Sequence, residues 1–437
     1  MAAVTQVVPN FLGGVSRQTD HKKLPGQVRE CLNAYPDPTF GLMKRPGFKY
    51  IKTLKTSANA NSPDYATAKW FFIKRDDERT YIGNISGASI NVWDSDGTAI
   101  TVNTPDGTSY LDTTRDNYDI LTVQDTTIIT NKTKKVLELA APTTHIVNSS
   151  GTVRIVNVAY SCKYSVSLKV GNTTHTVNYT TLNAENLSDP TSGQPKEEKY
   201  NTAEHILKAL EGGGSAPYNA GLKNLSISGH TLTVERLNSS LELSLATTGG
   251  TATAFELTVT DNQGNANISA FNEQVSNVAQ LPAESLHNRK VKVINSGAVQ
   301  DIYWSRFVAD NTTSGKGYWE ETLDPTVSLG MNDTTLPHEL RWRLNTSNVA
   351  EFTFQKAPWI NRTVGDAVTN ANPKFVGFTI QQAFFHNNRL GFLTEDNVSM
   401  SKSDDFYNFF YTSALTQTDA DPIGINCSSI RPAVLHA

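Results

Sequence analysis

Four short acidic clusters contain the residue types of this chain best suited to catalysis. They are Asp76-Asp77-Glu78, Glu320-Glu321, Asp404-Asp405 and the pair Asp419 and Asp421. Two carboxyl groups can cleave a glycosidic bond as acid and base when they lie roughly 5 to 10 Å apart in a cleft. Neighbouring acids along a sequence are more often solvated turns, and spacing in a sequence does not show a cleft. We therefore predict no catalytic residue.

Motifs for other chemistries are absent from the sequence. It contains no G-x-S-x-G nucleophile elbow, no G-x-x-x-x-G-K-S/T phosphate loop, no H-E-x-x-H zinc motif and no D-x-D-x-D-G calcium loop. The nine histidines include no pair spaced two or four residues apart, and His338, beside Pro337, is interpreted as structural. We predict that the protein uses no metal ion and no cofactor.

Short β-type runs separated by turn residues make up most of the chain from Lys69 onward. Their spacing of about 8 to 12 residues per strand and turn is typical of antiparallel meanders. The sequence has no clean internal repeat, so the spacing alone leaves a β-sandwich and a β-propeller open. The clearest segment is 378–402, where Asn387-Asn388 separates the first two of three predicted strands. The aromatic cluster from Phe406 to Tyr411 is predicted to pack as core.

A small α+β module is predicted between about Tyr160 and Gln280. Its first hairpin turns at Gly171-Asn172, a pair that supplies the positive φ of a tight turn, and a second hairpin is predicted to turn at Gly229-His230. The polar segment between Asn183 and Tyr200 contains two prolines and a glycine and is interpreted as a loop. Hairpin, helix and hairpin together indicate a domain inserted between strand-rich segments.

The helix of this module is the most convincing helix in the sequence. Asn201 and Glu204 form a start similar to a capping box, and Gly212 ends the helix. Its apolar face is formed by Ala203, Ile206, Leu207 and Leu210. This spacing of three and four residues predicts one buried side.

The first 68 residues are interrupted by turn-forming residues and are predicted to form an extended arm. The turn-forming residues are Gly13-Gly14, Pro25-Gly26, Pro36, Pro38, Gly41 and Pro46-Gly47. A segment broken this often takes its order from the surfaces that it lies against. The first 60 residues carry nine basic and three acidic side chains, whereas the remainder carries 29 basic and 39 acidic ones. A basic arm on an acidic body suggests an acidic partner, either a neighbouring subunit or nucleic acid, and a solvated arm is the alternative.

The arm contains the segments GGVSRQ, then LPGQ, then LNAYPDPTFGLMKRPG. In these segments it resembles the N-terminus of the tail tubular protein B family, the nozzle proteins of short-tailed phages. Three further segments are similar to that family in the same order: LPHELRW, PKFVGFTIQQAFFHNNRLGFLTEDNVSMSKSDDFYNFF and DADPIGI. Matches that occur in the same order at such distant positions are specific evidence of resemblance to this family. The resemblance favours a β-propeller, so the predicted fold is mainly β, a propeller-like body of antiparallel meanders with an inserted α+β module.

The predicted organisation has four parts: an arm over residues 1–68, propeller-like strands over 69–159, the inserted module over 160–280 and propeller-like strands over 281–437. Proteins of the family are substantially longer, and apolar residues continue to the end of this sequence. We therefore expect further blades to be missing.

The resemblance implies a structural nozzle protein that forms a sixfold ring below the tail adaptor protein and contacts the tail fibres. The ring would line a channel for packaged double-stranded DNA, bind it without sequence specificity and retain it until ejection. The protein would be made in the host bacterial cytoplasm and reside in the virion tail. Interface candidates are Arg17, Lys22, Lys23, Lys44, Arg45 and Arg389, the last in the family-like HNNRLGF segment. A virion-associated glycan depolymerase and a receptor-binding tail protein are the alternatives.

Composition agrees with a structural β protein. The chain has 437 residues, of which 38% are hydrophobic and 18% charged, enough for two or more domains with sizeable cores. The three cysteines, Cys31, Cys162 and Cys427, are odd in number and widely spaced, which favours synthesis in a reducing compartment over a disulfide framework. No run of 18 apolar residues and no secretory signal occurs, so we predict no membrane-spanning segment.

Overall fold

The structure is a computed structural model that describes residues 11–37, 39–54, 67–142, 145–183, 202–214, 218, 220–295 and 302–427. It is mainly β, as predicted: the described residues form 26 strands and one α-helix. The arrangement of the strands as a propeller stays a prediction. The chain divides into two compact units, one of Met1–Ser62 with Asp94–Thr98 and one of Pro63–Trp93 with Ala99–Ala437.

The strands follow one another in short segments. The first half of the chain contains β1 (Ala34–Asp37), β2 (Gly41–Lys44), β3 (Lys69–Lys74), β4 (Thr80–Ser86), β5 (Ser89–Asp94), β6 (Ala99–Asn103), β7 (Tyr118–Val123), β8 (Thr126–Asn131), β9 (Ser150–Ile155), β10 (Lys163–Val170), β11 (Thr173–Thr180) and the helix α1 (Ala203–Glu211). The second half contains β12 (His230–Arg236), β13 (Ser240–Thr247), β14 (Glu256–Thr260), β15 (Ile268–Phe271), β16 (Gln274–Val275), β17 (Glu284–Leu286), β18 (Lys290–Ile294), β19 (Ile302–Ala309), β20 (Ser314–Thr322), β21 (His338–Leu344), β22 (Ala350–Lys356), β23 (Gln382–His386), β24 (Arg389–Thr394), β25 (Asn397–Met400) and β26 (Ile423–Asn426).

The first unit folds back on itself in two short paired stretches. Strands β1 and β2 form an antiparallel hairpin. Before them, Val15 forms a parallel bridge with Val28, whose N–H donates to the carbonyl of Gly14 at 2.9 Å. The glycines and prolines therefore produce local turns, between which only a few residues pair.

The largest sheet of the second unit has eight strands, in the order β3-β4-β5-β6-β22-β21-β8-β7. Neighbours in this sheet come from distant parts of the chain, since β22 pairs in parallel with β6 and β21 pairs antiparallel with β8. Strand β8 is buried on both faces: Ile129 belongs to the core under this sheet, whereas Ile128 belongs to the core shared with the last strands. The adjacent residues Ile128 and Ile129 therefore serve two different cores, because successive side chains of a strand point to opposite faces.

In the region predicted as the α+β module, two sheets and α1 surround one core, and the sheets include β9, which precedes the predicted start at Tyr160. The sheets have the orders β11-β10-β14 and β12-β13-β9-β15. The core includes Tyr164, Val166 and Leu168 of β10 together with Leu207 and Leu210 of α1. The sheets and the helix thus bury a common apolar interior.

The hairpin predicted at Gly171-Asn172 is confirmed, because Val170 and Thr173 pair directly across that two-residue turn. The hairpin predicted at Gly229-His230 is wrong. Only one bridge joins Ile227 to His230, and β12 forms its hairpin with β13 instead. Residues 222–224 form a 3-10 turn, which leaves only Leu225 and Ser226 between that turn and Ile227, too few for a strand.

Helix α1 is confirmed, but its start differs from the prediction. Asn201 lies outside the described residues, and the cap is Thr202, whose side chain accepts a hydrogen bond from the N–H of His205. Gly212 ends the helix as predicted, with φ of 73°. This positive φ is costly for residues with a Cβ, which explains why a glycine stands there.

Two further sheets complete the second unit, with the orders β16-β18-β19-β20-β17 and β23-β24-β25-β26. The three strands predicted in the last segment are confirmed as β23 to β25, and Asn387 and Asn388 form the turn with φ of 47° and 55°. In the cluster after them, Phe409 and Phe410 are buried in the core as predicted, whereas Phe406 is 37% exposed.

Two chemical features of the whole chain bear on its class. Cys31, Cys162 and Cys427 are all free thiols. In the described residues, no helix has the length and apolar character needed to cross a membrane.

Candidate functional site

The predicted basic residues of the arm are mostly exposed. Arg17, Lys22 and Lys44 are exposed and form no ion pair within the part of the chain that the structure describes. Arg45 is also exposed, and its guanidinium carbon lies 4.3 Å from the ring centroid of Phe48, the distance of a cation–π contact. These four side chains therefore present positive charge at the surface of the first unit.

Lys23 differs from them because it is paired inside the arm. Its side chain is 11% exposed, and its Nζ lies 2.7 Å from Oδ1 of Asp20. Arg29 pairs with the other carboxylate oxygen of Asp20. The hydrogen bonds from Lys23 and Arg29 lower the pKa of Asp20 below its usual value. Lys23 thus holds a turn of the arm together.

The arm also exposes an unusual number of large apolar side chains. They are Phe11, Leu12, Val15, Leu24, Leu32, Tyr35, Phe40, Leu42, Phe48, Tyr50 and Ile51. Phe48 is 88% exposed, and Leu32 and Phe40 exceed 70%. Isolated apolar side chains are normal on protein surfaces, but a concentration within one short segment indicates an interaction surface. Apolar area and positive charge occur together on this arm.

Arg389 lies inside the second unit, at the start of β24, and is 7% exposed. Its Nη1 donates to the carbonyl oxygens of Ser401 and Asp421 at 2.6 and 2.7 Å, and its Nη2 donates to that of Asp419 at 2.6 Å. The guanidinium therefore joins three points of the chain around the last sheet. Unlike the exposed cations of the arm, Arg389 is buried, and its guanidinium braces the chain around this sheet.

The acidic clusters are engaged in turns and ion pairs. Asp76 accepts the N–H of Arg79 at 2.6 Å, Asp405 accepts from Nδ2 of Asn408 at 3.1 Å, and Asp421 accepts the N–H of Thr418 at 2.7 Å. Glu320 pairs with Arg306 on the neighbouring strand. Within the described residues, no three His, Cys, Asp or Glu side chains are grouped so that they could hold a metal ion.

A buried polar network joins the module to the five-stranded sheet, and the sequence reasoning missed it. Glu242 of β13 accepts hydrogen bonds from the hydroxyl groups of Thr152 and Ser285, both at 2.9 Å. Nearby, Arg289 donates to the carbonyl of Asn272 at 2.5 Å. The sequence carried no signal for it: Glu242 alternates with Leu241 and Leu243 along β13, a pattern typical of an acid that faces solvent.

His338 occupies a structural position, as its sequence context indicated. Its ring stacks on Tyr110 with 4.2 Å between centroids and lies 5.5 Å from the ring of Phe354. Its Nδ1 lies 2.9 Å from the carbonyl oxygen of Leu336, so the N–H of the neutral ring donates there. Burial lowers the pKa of His338 below its usual value.

Comparison with known proteins decides the family. The model of the bacteriophage nozzle protein family matches residues 1–437. The chain belongs to the bacteriophage nozzle family. It is also 26% identical over 445 residues to tail tubular protein gp12 of Escherichia phage T7, a match that covers 100% of this chain and 51% of that protein. The chain thus spans about half the length of the curated relative that it matches.

Membership in the nozzle family confirms the family suggested by the arm and C-terminal motifs. It identifies this chain as a structural component of the virion tail.

Proposed function

We propose that this nozzle-family chain is one protomer of a closed sixfold ring that forms the distal tail tube below the adaptor protein. The observation that carries the proposal is the arm, where exposed cations and exposed apolar side chains occupy the same short segment. A segment of this kind gains order and buries apolar area by lying on a neighbour. Repeated from protomer to protomer, such a head-to-tail contact closes into a ring.

Charge supports a second copy of the chain as the surface that receives the arm. Beyond residue 60 the chain carries 39 acidic and 29 basic side chains, so the body of a neighbour opposes the positive arm. Opposite fields accelerate and orient docking, and apolar burial then stabilises the contact. We expect each interface to bury well above the ~1,600 Å² of a standard protein contact.

The same charge balance suits a DNA channel. Phosphates neutralised by Lys or Arg add salt-dependent attraction, which would oppose rapid sliding of DNA. We therefore propose a neutral to acidic channel wall, with retention of the genome by loops that enter the channel. The two candidate loops are residues 183–199 and 211–221. Only Asn183 of the first, and residues 211–214, 218, 220 and 221 of the second, lie within the described residues.

The experiment that tests the ring is imaging of the virion combined with counting of this protein. We expect density for the chain below the portal and adaptor, and a copy number by quantitative mass spectrometry that matches a sixfold ring. A copy number typical of trimeric fibres, with density at the tail periphery, would contradict the proposal. Shortening each candidate loop and measuring genome leakage from finished particles tests the gate separately, because the ring can form without it.

Catalysis is not part of the proposed function. A glycan depolymerase requires a pair of carboxyl groups that face one cleft. Asp404, from one of the acidic clusters, instead lies in a turn and accepts a hydrogen bond from Asn388 at 2.9 Å. We expect purified protein to release no oligosaccharide from host envelope material, and Asp404→Asn to leave infectivity near that of the unmodified phage. Reproducible hydrolysis that disappears on changing one acidic pair would favour the depolymerase.

A receptor-binding role would need an exposed aromatic platform at the tip of the tail. Trp93, Trp304 and Trp342 are buried, which favours a packing role for these three. The test is binding of the purified protein to host cells: saturable binding that disappears on replacing an exposed aromatic residue would favour the receptor-binding protein over the nozzle ring.

A further inference from the structure

A cleft of about 660 Å³ lies against the five-stranded sheet, beside the segment that follows β20. Its lining includes Lys290 of β18, Arg306 of β19, Glu320 of β20 and Arg362 of the segment after β22. The volume is in the range of sites for small organic molecules, roughly 300 to 1,000 Å³. The cleft therefore has the size of a ligand site, and its charged lining determines the kind of ligand.

Two cationic side chains lie on neighbouring strands of the sheet beside the cleft. Lys290 lies directly opposite Arg306, which in turn lies directly opposite Glu320. Arg306 pairs with Glu320, whereas Lys290 forms no hydrogen bond or ion pair within the described part of the chain. Like charges directly opposite each other destabilise a sheet. Burial and, to a lesser extent, Arg306 lower the pKa of Lys290, while the negative charge of Asp324 opposes that shift.

Arg362 is a second cation with unmatched donors, and it is only 2% exposed. Its Nη2 donates to Oδ1 of Asn372, but its Nε and Nη1 have no hydrogen-bond partner among the described residues. Leaving charged donors buried without partners costs free energy. Its guanidinium carbon also lies 5.2 Å from the ring centroid of Phe410, so one face of the group is covered. An anion in the cleft would supply the missing acceptors.

The acids that line the cleft are already engaged. Glu321 accepts hydrogen bonds from Oγ of Ser413 at 2.8 Å and from the N–H of Ala414 at 2.7 Å. Asp324 accepts from the N–H and the hydroxyl of Thr326 at 2.8 and 2.6 Å. Together with the Arg306 pair, these contacts hold the acids in place. Among the described residues of the lining, Lys290 and the Nε and Nη1 donors of Arg362 remain without a hydrogen-bond or ion-pair partner.

We propose that this cleft binds a small oxyanion, a phosphate- or carboxylate-bearing molecule, through Lys290 and Arg362. Lysine supplies a compact charge, and the planar guanidinium supplies directed donors that match the oxygens of either group. Such a site goes beyond the assembly of a ring, and it does not depend on the ring for its geometry, because all its residues lie within one compact unit of one chain.

The experiment is titration of the full chain with pyrophosphate, with citrate and, as a neutral probe, with glucose, by calorimetry at constant ionic strength. We expect saturable binding of pyrophosphate, citrate or both, no binding of glucose, and a rise in melting temperature with the bound anion. The anion that binds more tightly tells whether phosphate or carboxylate chemistry is preferred.

Variants locate the site. Lys290→Gln should weaken anion binding by at least about tenfold, the effect of losing one charge-assisted contact. Lys169→Gln is the matched control, since Lys169 pairs with Glu256 on another sheet, and it should bind as the unmodified chain does. Arg362→Gln should show the same loss, but because Arg362 is buried, Lys290→Gln carries the test if that variant does not fold. No saturable binding by the unmodified chain, or equal affinity in Lys290→Gln, would overturn the proposal.

Discussion

Oε2 of Glu242 lies 3.7 Å from Nε of Arg289, and both side chains are buried where the α+β module meets the five-stranded sheet. Burial raises the pKa of Glu242, while the positive charge of Arg289 opposes that rise. An ion pair removed from water contributes little net stability, but removing one partner leaves the other charge buried without compensation. The pair therefore ties the orientation of the module to the sheet.

The first prediction concerns this pair. Arg289→Met should lower the free energy of unfolding by about 3 to 5 kcal/mol, measured by chemical denaturation, because the buried Glu242 loses its counter-charge. The double variant Glu242→Gln with Arg289→Met should recover part of the loss. The matched control is Arg343→Met, which removes an exposed guanidinium from its pair with Glu351 and should cost less than about 1 kcal/mol. Equal losses in Arg289→Met and the control would contradict the prediction.

The second prediction is the pH dependence contributed by His338. Its pKa is lowered by burial, so the folded state favours the neutral ring. This contribution is complete above the usual histidine pKa of about 6.5 and is lost as the pH falls through the lower pKa of the folded state. Stability of the unmodified chain should therefore decrease between about pH 7.5 and pH 5, and less so in His338→Gln. His386→Gln, which changes an exposed histidine, should keep the original dependence. Identical pH profiles for all three proteins would refute the assignment.

The third prediction concerns the bracing role of Arg389. Arg389→Lys keeps the charge but loses the fork that reaches three carbonyl oxygens, so we expect a loss of about 2 kcal/mol or more in unfolding free energy. Hydrogen exchange of the amides in β24 to β26 should accelerate with it, because those carbonyls hold the chain around this sheet. Arg343→Lys on the exposed surface serves as the control. Unchanged stability and exchange would show that the three contacts contribute nothing measurable.

The fourth prediction concerns the arm and rests on the proposed function. Reversing the exposed cations Arg17, Lys22, Lys44 and Arg45 to Glu should strongly reduce incorporation of the protein into tails while leaving the melting temperature of the body nearly unchanged. The reason is that the arm would then repel the acidic body of its neighbour. The control reverses four exposed cations of the body: Lys135, Lys163, Lys316 and Lys374. Normal incorporation of the arm variant, counted in purified particles, would show that the arm is only solvated.

The sequence by itself determined the features that depend on neighbouring residues. The turns at Gly171-Asn172 and Asn387-Asn388 follow from residues that tolerate positive φ, and α1 follows from apolar spacing and from Gly212. The family followed from ordered motifs in the arm and near the C-terminus. The cap of α1 was misplaced by one residue, because Asn and Thr both suit that position and only the backbone distinguishes them.

Only the tertiary structure decided which distant segments meet. Nothing local in the sequence predicts that β22 lies parallel to β6, or that β9 pairs with β13, since strand pairing depends on which apolar faces bury each other. The same holds for the charges: strand register places Lys290 opposite Arg306, and packing between two sheets brings Glu242 beside Arg289. A charged residue has a chemical role only relative to the groups around it, and folding selects those groups from the whole chain.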